Sequence, residues 1–307
     1  MAIIRIEKVF YGVEDLATCT RFYDDVGLER VRADADEALF RTPANQFVVL
    51  RKADDPRLPA AAGEGQGIRE VIWGVGQEAD LAAIRAELAK DREVRVDDEG
   101  TLHTFDVTGY AIGFRVAKPT SIEAPRHAVN TPGQVERYSE VVKIYGRAKP
   151  TRLIHVALDI PKEGRQAAND FYTQRLGFKP IDQSLPMGTF MQCEGDVEHH
   201  NLLLCHRTDR ISTNHVALEV RDFDEVIEGG NYLTDQGWKE SRRLGRHTLG
   251  SNVFRMFHAP CGGRIEYAHD MDRMGKEFKT RVWEQSPPHH LWMVKFPGDP
   301  GREPPGG

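Results

Sequence analysis

Residues 152–160, RLIHVALDI, decide the fold. They begin a sequence pattern that also begins at residues 4–13, IRIEKVFYGV. Each stretch reads as a β-strand and precedes an amphipathic helix pattern, at residues 163–176 and 15–26 respectively. Both helix patterns carry a Phe-Tyr pair a few residues before a glycine, which suits a left-handed C-cap. The two glycines are Gly27 and Gly177. The chain therefore contains an internal repeat.

A weaker copy of the same unit begins in each half. It starts at residues 69–75, REVIWGV, and at residues 214–220, NHVALEV, and a helix-like stretch and several short strands follow each start. The pattern predicts an α+β fold with four βαβββ modules, two in each domain. Pairs of such modules commonly form a half-open β-barrel, and the resulting cup is a place for a site.

The repeats also predict the domain organisation. Residues 1–119 form an N-terminal domain, and residues 151–275 form the second domain. Residues 120–150, rich in proline and charge, form a linker with a helical segment around VERYSEVVKIYG at 135–146. Residues 276–307 form a C-terminal tail in which the repeat pattern fades.

The composition excludes several classes of protein. The chain has 307 residues, a formal net charge of -6, 40% hydrophobic and 29% charged residues, which is typical of a globular protein. No basic face is available for nucleic acid, so a small molecule is the expected partner. No segment resembles a signal peptide or a membrane span, and the four cysteines are too scattered for a disulfide framework. We expect a cytoplasmic protein that contacts neither membrane nor nucleic acid.

Histidines are distributed unevenly between the two halves. Of the 12 histidines, only His103 and His127 precede residue 150. Alignment of the repeats places three residues of the second half opposite residues that cannot together hold a divalent metal. The aligned pairs are His155 with Lys8, His215 with Glu70, and Glu266 with Gly113. The second domain is therefore the predicted catalytic domain, and the first lacks the ligand set.

The three residues of the second half form a recognisable set of metal ligands. His155 and His215 lie on the first strands of two modules, and Glu266 lies on the last strand of the second of these modules. Because strand side chains alternate between faces, each strand can direct its ligand into the cup. Two imidazoles and one carboxylate leave about three coordination positions open, an arrangement associated with non-haem Fe(II) that activates O2. Asn214, beside His215, is expected to point away from the metal.

With these residues, the sequence resembles the two-domain type I extradiol ring-cleaving dioxygenases of the vicinal oxygen chelate superfamily. The motifs that carry the resemblance are LIHVALDI, TNHVALEV and PCGGRIEY, in that order and spacing. The resemblance implies an enzyme of aromatic catabolism that opens a catechol ring beside the diol. It implies Fe(II), with Mn(II) accepted by the same ligands, O2 as the second substrate, and a homo-oligomer.

The resemblance also implies two catalytic histidines outside the metal ligands. An acid–base histidine is expected before the second metal ligand, where VEHHNLLL supplies His199 and His200, and His200 is the choice because an apolar strand follows it. A histidine that contacts the substrate is expected about nineteen positions before Glu266, where His247 lies. The tail from WEQSPPHHLW is similar to family members in which the C-terminus covers the site.

One position departs from the family pattern. The tyrosine expected ten residues before Glu266 is replaced by Met256, which cannot donate a hydrogen bond. His258 and Tyr267 are the residues considered as substitutes. Four apolar residues are considered for the substrate pocket, although aromatic residues at strand spacing more often belong to the core. They are Phe190, Phe254, Trp292 and Met293.

Three other functions remain open at this point. The same superfamily includes glyoxalase-type isomerases and thiol transferases. A 4-hydroxyphenylpyruvate dioxygenase-like enzyme uses the same types of ligand. A protein that only binds and sequesters an aromatic ligand is the third alternative, which the loss of the tyrosine at Met256 allows.

Overall fold

A computed structural model describes residues 2–122, 128–142 and 146–297 of the chain. His127 and the last ten residues of the tail lie outside the described residues. The described residues fold as two β-sheets with helices on their outer faces.

The first half contains eight strands and two helices. They are β1 (Ile3–Val13), α1 (Leu16–Val26), β2 (Glu29–Ala33), β3 (Glu37–Arg41), β4 (Phe47–Lys52), β5 (Gly67–Val75), α2 (Glu78–Leu88), β6 (Arg95–Val96), β7 (Leu102–Phe105) and β8 (Ala111–Val116). The order of elements is that of two successive βαβββ modules.

The second half repeats this order and adds two strands from the tail. The elements are β9 (Arg152–Pro161), α3 (Arg165–Asp170), β10 (Lys179–Ser184), β11 (Gly188–Gln192), β12 (Leu202–Arg207), β13 (Ser212–Glu219), α4 (Phe223–Asp235), β14 (Glu240–His247), β15 (Val253–His258), β16 (Arg264–His269), β17 (Arg281–Trp283) and β18 (His290–Met293). One π-helical turn, Phe171–Arg175, continues α3 directly.

The strand order confirms the predicted fold class. The first sheet has the order β2-β3-β4-β1-β5-β8-β7-β6, and the second has the order β17-β10-β11-β12-β9-β13-β16-β15-β14-β18. In each sheet the first strands of two modules pair antiparallel at the centre, and each then pairs in parallel with the last strand of its own module. Neither sheet closes into a barrel, because the two strands at its edges do not pair with each other.

Local signals explain where α1 begins and ends. The Asp15 carboxylate accepts a hydrogen bond from the Thr18 amide at 2.9 Å, which satisfies one free N–H of the first turn. The helix ends at Gly27, whose φ of 96° lies in the left-handed region. Gly177 has a φ of 75°, so both glycines have the predicted conformation.

The predicted helix in the linker is wrong for the part that the structure describes. Residues 135–142 contain no helical turn, and the rest of the predicted segment up to 145 lies outside the described residues. Tyr138 is 83% exposed and Val141 is 92% exposed, so an apolar face that would stabilise a helix has no core to pack against.

The two sheets share one continuous core. Buried apolar residues of both halves form a single cluster, in which the Trp73 and Phe178 rings meet edge to face with centroids 5.0 Å apart. Polar contacts cross the same boundary, since Tyr267 O–H donates to the Val26 carbonyl at 2.8 Å and the Ile68 amide donates to Thr213 Oγ1 at 2.7 Å. No helix among the described residues is long and apolar enough to cross a membrane.

Gly27 offers a test of the packing between the first half and the segment that leads into β9. A Cβ at this position would lie 2.1 Å from the Ala148 carbonyl oxygen, in addition to the strain of its left-handed backbone. We expect Gly27→Ala to lower the free energy of unfolding by more than about 2 kcal/mol, because the left-handed conformation alone costs an L-residue about 1–2 kcal/mol. The measurement is the urea midpoint of the metal-free protein.

The matched control for this test is Gly109→Ala. Gly109 has a φ of 98°, but a Cβ there meets none of the described residues within 4 Å, so only the backbone strain applies. Equal losses in the two variants would show that the contact with Ala148 does not restrict this turn.

Candidate metal centre

The register of three neighbouring strands brings the predicted ligands together. Strands β9, β13 and β16 lie side by side at the centre of the second sheet. His155 of β9 and Glu266 of β16 both pair with Ala217 of β13, and His215 lies two residues before Ala217. Residues at these positions share one face of the sheet, because side chains alternate along a strand. All three ligands therefore point into the same cup.

The ligand atoms fit one metal ion. The distances between the atoms are 3.0 Å from His155 Nε2 to His215 Nε2, 3.4 Å from His155 Nε2 to Glu266 Oε2, and 3.2 Å from His215 Nε2 to Glu266 Oε2. Bonds of about 2.1 Å at octahedral or tetrahedral angles place donor atoms roughly 3.0–3.4 Å apart. Glu266 Oε2 is buried and accepts no hydrogen bond from the residues that the structure describes, which leaves it free for a metal.

Neighbouring side chains hold two of the ligands in orientation. Asn252 Nδ2 donates to Glu266 Oε1 at 2.8 Å, so the carboxylate keeps Oε2 for the metal. His215 Nδ1 lies 2.7 Å from Asn214 Oδ1, an oxygen that also accepts from Arg264. An oxygen can only accept, so His215 is protonated at Nδ1 and its Nε2 carries the lone pair.

The expectation that Asn214 points away from this site is wrong. Asn214 lines the cavity and bonds directly to His215. The reason is a β-bulge in β13 between Thr213 and His215, which interrupts the simple alternation of faces.

Electrostatics favour a neutral His215 imidazole and an ionised Glu266 carboxylate. Burial alone would raise the pKa of the Glu266 carboxyl, but the histidines around it outweigh burial and hold that pKa well below its ordinary value. Burial lowers the pKa of His215 well below its ordinary value. With a divalent metal, these ligands would carry a net charge of about +1, which suits an anionic substrate.

His200 lies against the metal ligands, whereas His199 points behind them. The His200 ring centroid is 4.2 Å from that of His155, and His200 lines the cavity. His199 is 0% exposed and directs Nε2 to the Asp182 carboxylate at 2.7 Å. The two neighbours therefore face in different directions, and His200 is the one that a substrate in the cavity would meet.

His247 is the last residue of β14 and lines the same cavity. Its Nε2 is 3.6 Å from Glu266 Oε1, and its ring stacks on Phe254 with centroids 3.9 Å apart. The tail contributes to the same wall, since Pro288 and His289 line the cavity and the His289 carbonyl lies 3.3 Å from His247 Nδ1.

An arginine, Arg242, lines the cavity beside Met256. Met256 lies between Arg242 of β14 and Glu266 of β16 in the strand register, and all three line the cavity. The two predicted substitutes for the missing tyrosine do not line it. His258 is exposed, and the Tyr267 hydroxyl donates to the Val26 carbonyl at the boundary between the halves.

Of the four apolar residues considered for the substrate pocket, one lines the cavity. Phe190 lines it, and Phe254 supports His247 from behind. Trp292 and Met293 of β18 are 39% and 36% exposed and lie outside the wall.

Comparisons with known proteins agree with this geometry. The model of the Glyoxalase/Bleomycin resistance protein/Dioxygenase superfamily matches residues 152–267, the segment that contains the three predicted ligands. Metapyrocatechase 2 of Cupriavidus necator is 31% identical over 279 residues, which are 88% of this chain and 82% of that protein. The chain belongs to the extradiol ring-cleaving dioxygenases. The resemblance read from its sequence is thus confirmed.

Solved structures share the fold of this chain, although their sequence identity to it is lower than that of Metapyrocatechase 2. The Mn(II)-bound glyoxalase of Novosphingobium aromaticivorans has a TM-score of 0.74 at 23% identity, covering 100% of this chain and 97% of that one. Homoprotocatechuate 2,3-dioxygenase of Arthrobacter globiformis has a TM-score of 0.70 at 19% identity, covering 92% of this chain and 84% of that one. Both likenesses extend over the two domains.

The N-terminal cup of the dioxygenase lacks the ligands. The row Lys8, Ile72 and Gly113 pairs across the first sheet as His155, Ala217 and Glu266 pair across the second. A Cβ at Gly113 would lie 2.4 Å from Ile72 Cδ1 and 2.7 Å from the Leu102 carbonyl oxygen, so this strand has no room for a carboxylate ligand. Glu70, the counterpart of His215, is bonded to His103 at 2.6 Å instead.

Sequence reasoning missed four residues around the site. They are Asp182, Asn214 in its actual role, Arg242 and Asn252. No local motif marks them, because each becomes important only through a residue that lies elsewhere in the chain. A bulge in β13 and irregular pairing in β14 also shift the faces that simple alternation predicts.

Proposed function

We propose that the protein opens the ring of a catechol with O2 beside the diol, using Fe(II) held by His155, His215 and Glu266. The observation that carries the proposal is the triad itself, whose three ligand atoms lie 3.0–3.4 Å apart at the base of a cavity. Buried ligands on one side leave the cavity side open for substrate. When bound, the metal supplies Lewis-acid and redox chemistry that brings the diol and O2 together.

The protein's own residues supply binding and proton transfer. His200 is the proposed acid–base group that takes a proton from the diol and later returns it. Burial lowers the pKa of His200 well below its ordinary value, so the ring is neutral and accepts a proton before the ring opens. His247 is the proposed contact for a diol oxygen, since its ring is fixed by stacking on Phe254.

The experiment is O2 uptake by protein loaded anaerobically with Fe(II), and separately with Mn(II), with a panel of catechols. Uptake together with a yellow ring-opened product supports the proposal, and the ratio of rates with the two metals decides between them. Turnover without O2 would favour an isomerase. Ligand binding without any turnover would favour a sequestering protein.

Arg242 indicates which catechols fit. Its guanidinium lines the cavity and has no hydrogen-bond or ion-pair partner among residues 2–122, 128–142 and 146–297. The other two arginines of the wall are paired, Arg207 with Asp159 at 2.9 Å and Arg264 with Asn214. A half-buried cation without a partner is costly, and a substrate anion would offset that cost. The proposed substrate is therefore a catechol that carries a carboxylate.

Replacing Arg242 by glutamine tests this selectivity. The probes are 3-(3,4-dihydroxyphenyl)propanoate and its primary amide, because the two methylene groups insulate the diol from the change. We expect the wild type to favour the acid in kcat/KM by about 10–100-fold, as a hydrogen bond to a charged group is worth about 1.5–3 kcal/mol. In Arg242→Gln the preference should fall to near one, with catechol itself little affected.

The control is Arg243→Gln, the next residue on β14, whose side chain does not line the cavity. This variant should keep the preference for the acid. A wild type that cleaves the amide as well as the acid would refute an acidic substituent.

We further propose that the enzyme is cytoplasmic and homo-oligomeric. The four cysteines are free and buried, which supports a reducing compartment. The oligomeric state rests on the family resemblance, and sedimentation of the purified protein tests it.

A further inference from the structure

A chain of hydrogen bonds runs from the C-terminal tail to His200. Strand β17 of the tail pairs in parallel with β10, so that Arg281 lies beside Asp182 and Trp283 beside Ser184. The Asp182 carboxylate accepts from Arg281 Nε at 2.7 Å, from Arg281 Nη2 at 2.5 Å and from Trp283 Nε1 at 2.7 Å. Its Oδ2 also lies 2.7 Å from His199 Nε2.

The next contact in this chain joins two imidazoles. His199 Nδ1 lies 3.1 Å from His200 Nδ1, and the ring planes are nearly perpendicular. Only one of two facing nitrogens can carry the proton of a hydrogen bond. The protonation of His199 therefore determines the protonation of His200.

The charge on Asp182 decides the direction of these bonds. Burial raises the pKa of Asp182, but the donors from His199, Arg281 and Trp283 outweigh burial and hold that pKa well below its ordinary value. An ionised carboxylate has no proton to give, so His199 must donate from Nε2.

The charges around His199 disfavour a second cation beside Asp182. Arg281 already balances the charge of Asp182, and His199 is 0% exposed, so a second cation would be buried without a counter-charge. A neutral ring protonated at Nε2 has its lone pair on Nδ1. That lone pair accepts the Nδ1 proton of His200, which leaves the lone pair of His200 on Nε2.

We propose that the tail strand fixes the tautomer of His200 through Asp182 and His199, so that the basic nitrogen of His200 is Nε2, on the cavity side. Asp182, His199, Arg281 and Trp283 are then positioning residues, and none of them lines the cavity. The consequence for catalysis rests on the proposed function, in which His200 is the acid–base group. The tautomer itself does not depend on that function.

The first test is Asp182→Asn, which is close in shape but can donate. Its amide oxygen is expected at the Oδ1 position, where Arg281 Nε and Trp283 Nε1 donate, so that its NH2 replaces Oδ2, gives up the hydrogen bond from Arg281 Nη2 and faces His199 Nε2. His199 would then lose its Nε2 proton and donate from Nδ1, and the proton of His200 would move to Nε2. We expect kcat to fall by about 10–100-fold with KM and bound metal little changed.

A second readout needs neither metal nor activity. In ¹⁵N NMR of the metal-free protein, protonated and unprotonated ring nitrogens have well separated shifts. The wild type should show His200 protonated at Nδ1 and unprotonated at Nε2, and Asp182→Asn should show the reverse. A wild type protonated at His200 Nε2, or an unchanged tautomer in the variant, would overturn the proposal.

Substitutions of His199 keep the test decisive if Asp182→Asn does not fold. His199→Gln can donate to Asp182 and accept from His200, so kcat should stay within about 3-fold of the wild type. His199→Leu can do neither, and kcat should fall as in Asp182→Asn. Equal rates in the two His199 variants would contradict the proposal.

Asp106→Asn is the matched control for loss of a buried carboxylate. Asp106 is 6% exposed and accepts from Tyr172 O–H at 2.9 Å, and it does not line the cavity. This variant should leave kcat and the His200 tautomer unchanged. If no catechol is cleaved by the wild type but the NMR result is as expected, the proposed function fails and the tautomer inference stands.

Discussion

Replacing Glu266 by glutamine is expected to abolish ring cleavage together with metal binding. Glutamine has nearly the same shape, but its amide is a weak ligand and removes the charge that offsets the metal. Residues behind metal ligands already contribute about 10–100-fold to affinity, so the loss of a ligand should weaken binding by more than about 100-fold. The measurements are metal stoichiometry after anaerobic loading and O2 uptake with a catechol.

The control for this variant is Glu70→Gln in the first sheet. Glu70 is a buried carboxylate at the position that corresponds to His215, and it is bonded to His103. Its replacement should leave bound metal and turnover unchanged. A Glu266→Gln protein that still binds one metal ion at full stoichiometry would show that the ligand assignment is wrong.

The second large effect is expected for His200→Asn. His200 contacts His155 but is not among the three residues whose atoms converge on one point, so the metal should remain bound. Loss of a general acid–base group typically costs about 10²–10⁴-fold, and we expect a fall of that size in kcat. Metal analysis and steady-state kinetics on the same preparation separate the two effects.

A comparable histidine outside the cavity provides the control. His206 is 4% exposed on β12, and its Nδ1 lies 3.1 Å from the Leu185 carbonyl oxygen. His206→Asn should keep both metal and kcat. A His200→Asn enzyme with wild-type kcat would exclude His200 as the acid–base group, and parallel loss of metal would make it part of the metal centre.

The four modules and the three proposed ligands are visible in the sequence for one physical reason. Strand alternation, helix amphipathicity and C-capping glycines act over a few residues, so each module carries its own signals. Because the modules repeat, a residue such as His155 can be compared with Lys8 at the same position. The predicted linker helix at 135–146 failed in its described part, because its apolar residues face solvent.

Contacts between distant segments could not be predicted in this way. Asn252 reaches Glu266 from fourteen residues away in sequence, and Arg281 reaches Asp182 from 99 residues away. The bulge in β13 turns Asn214 toward His215, which simple alternation does not predict. Short-range patterns carry no information about strand pairing across such distances.

The types and order of the ligands therefore follow from the local sequence, whereas their chemical states follow from folding. A histidine at the start of a strand is specified by the module in which it lies. Its tautomer, its charge and the arginine that faces its substrate depend on which strands become neighbours. In this protein the pairing of β17 with β10 brings Arg281 to Asp182, and the pairing of β14 with β15 brings Arg242 to Met256. The reason is that hydrogen bonds and charges act between groups close in space, and only the folded sheets bring these groups within a few ångströms.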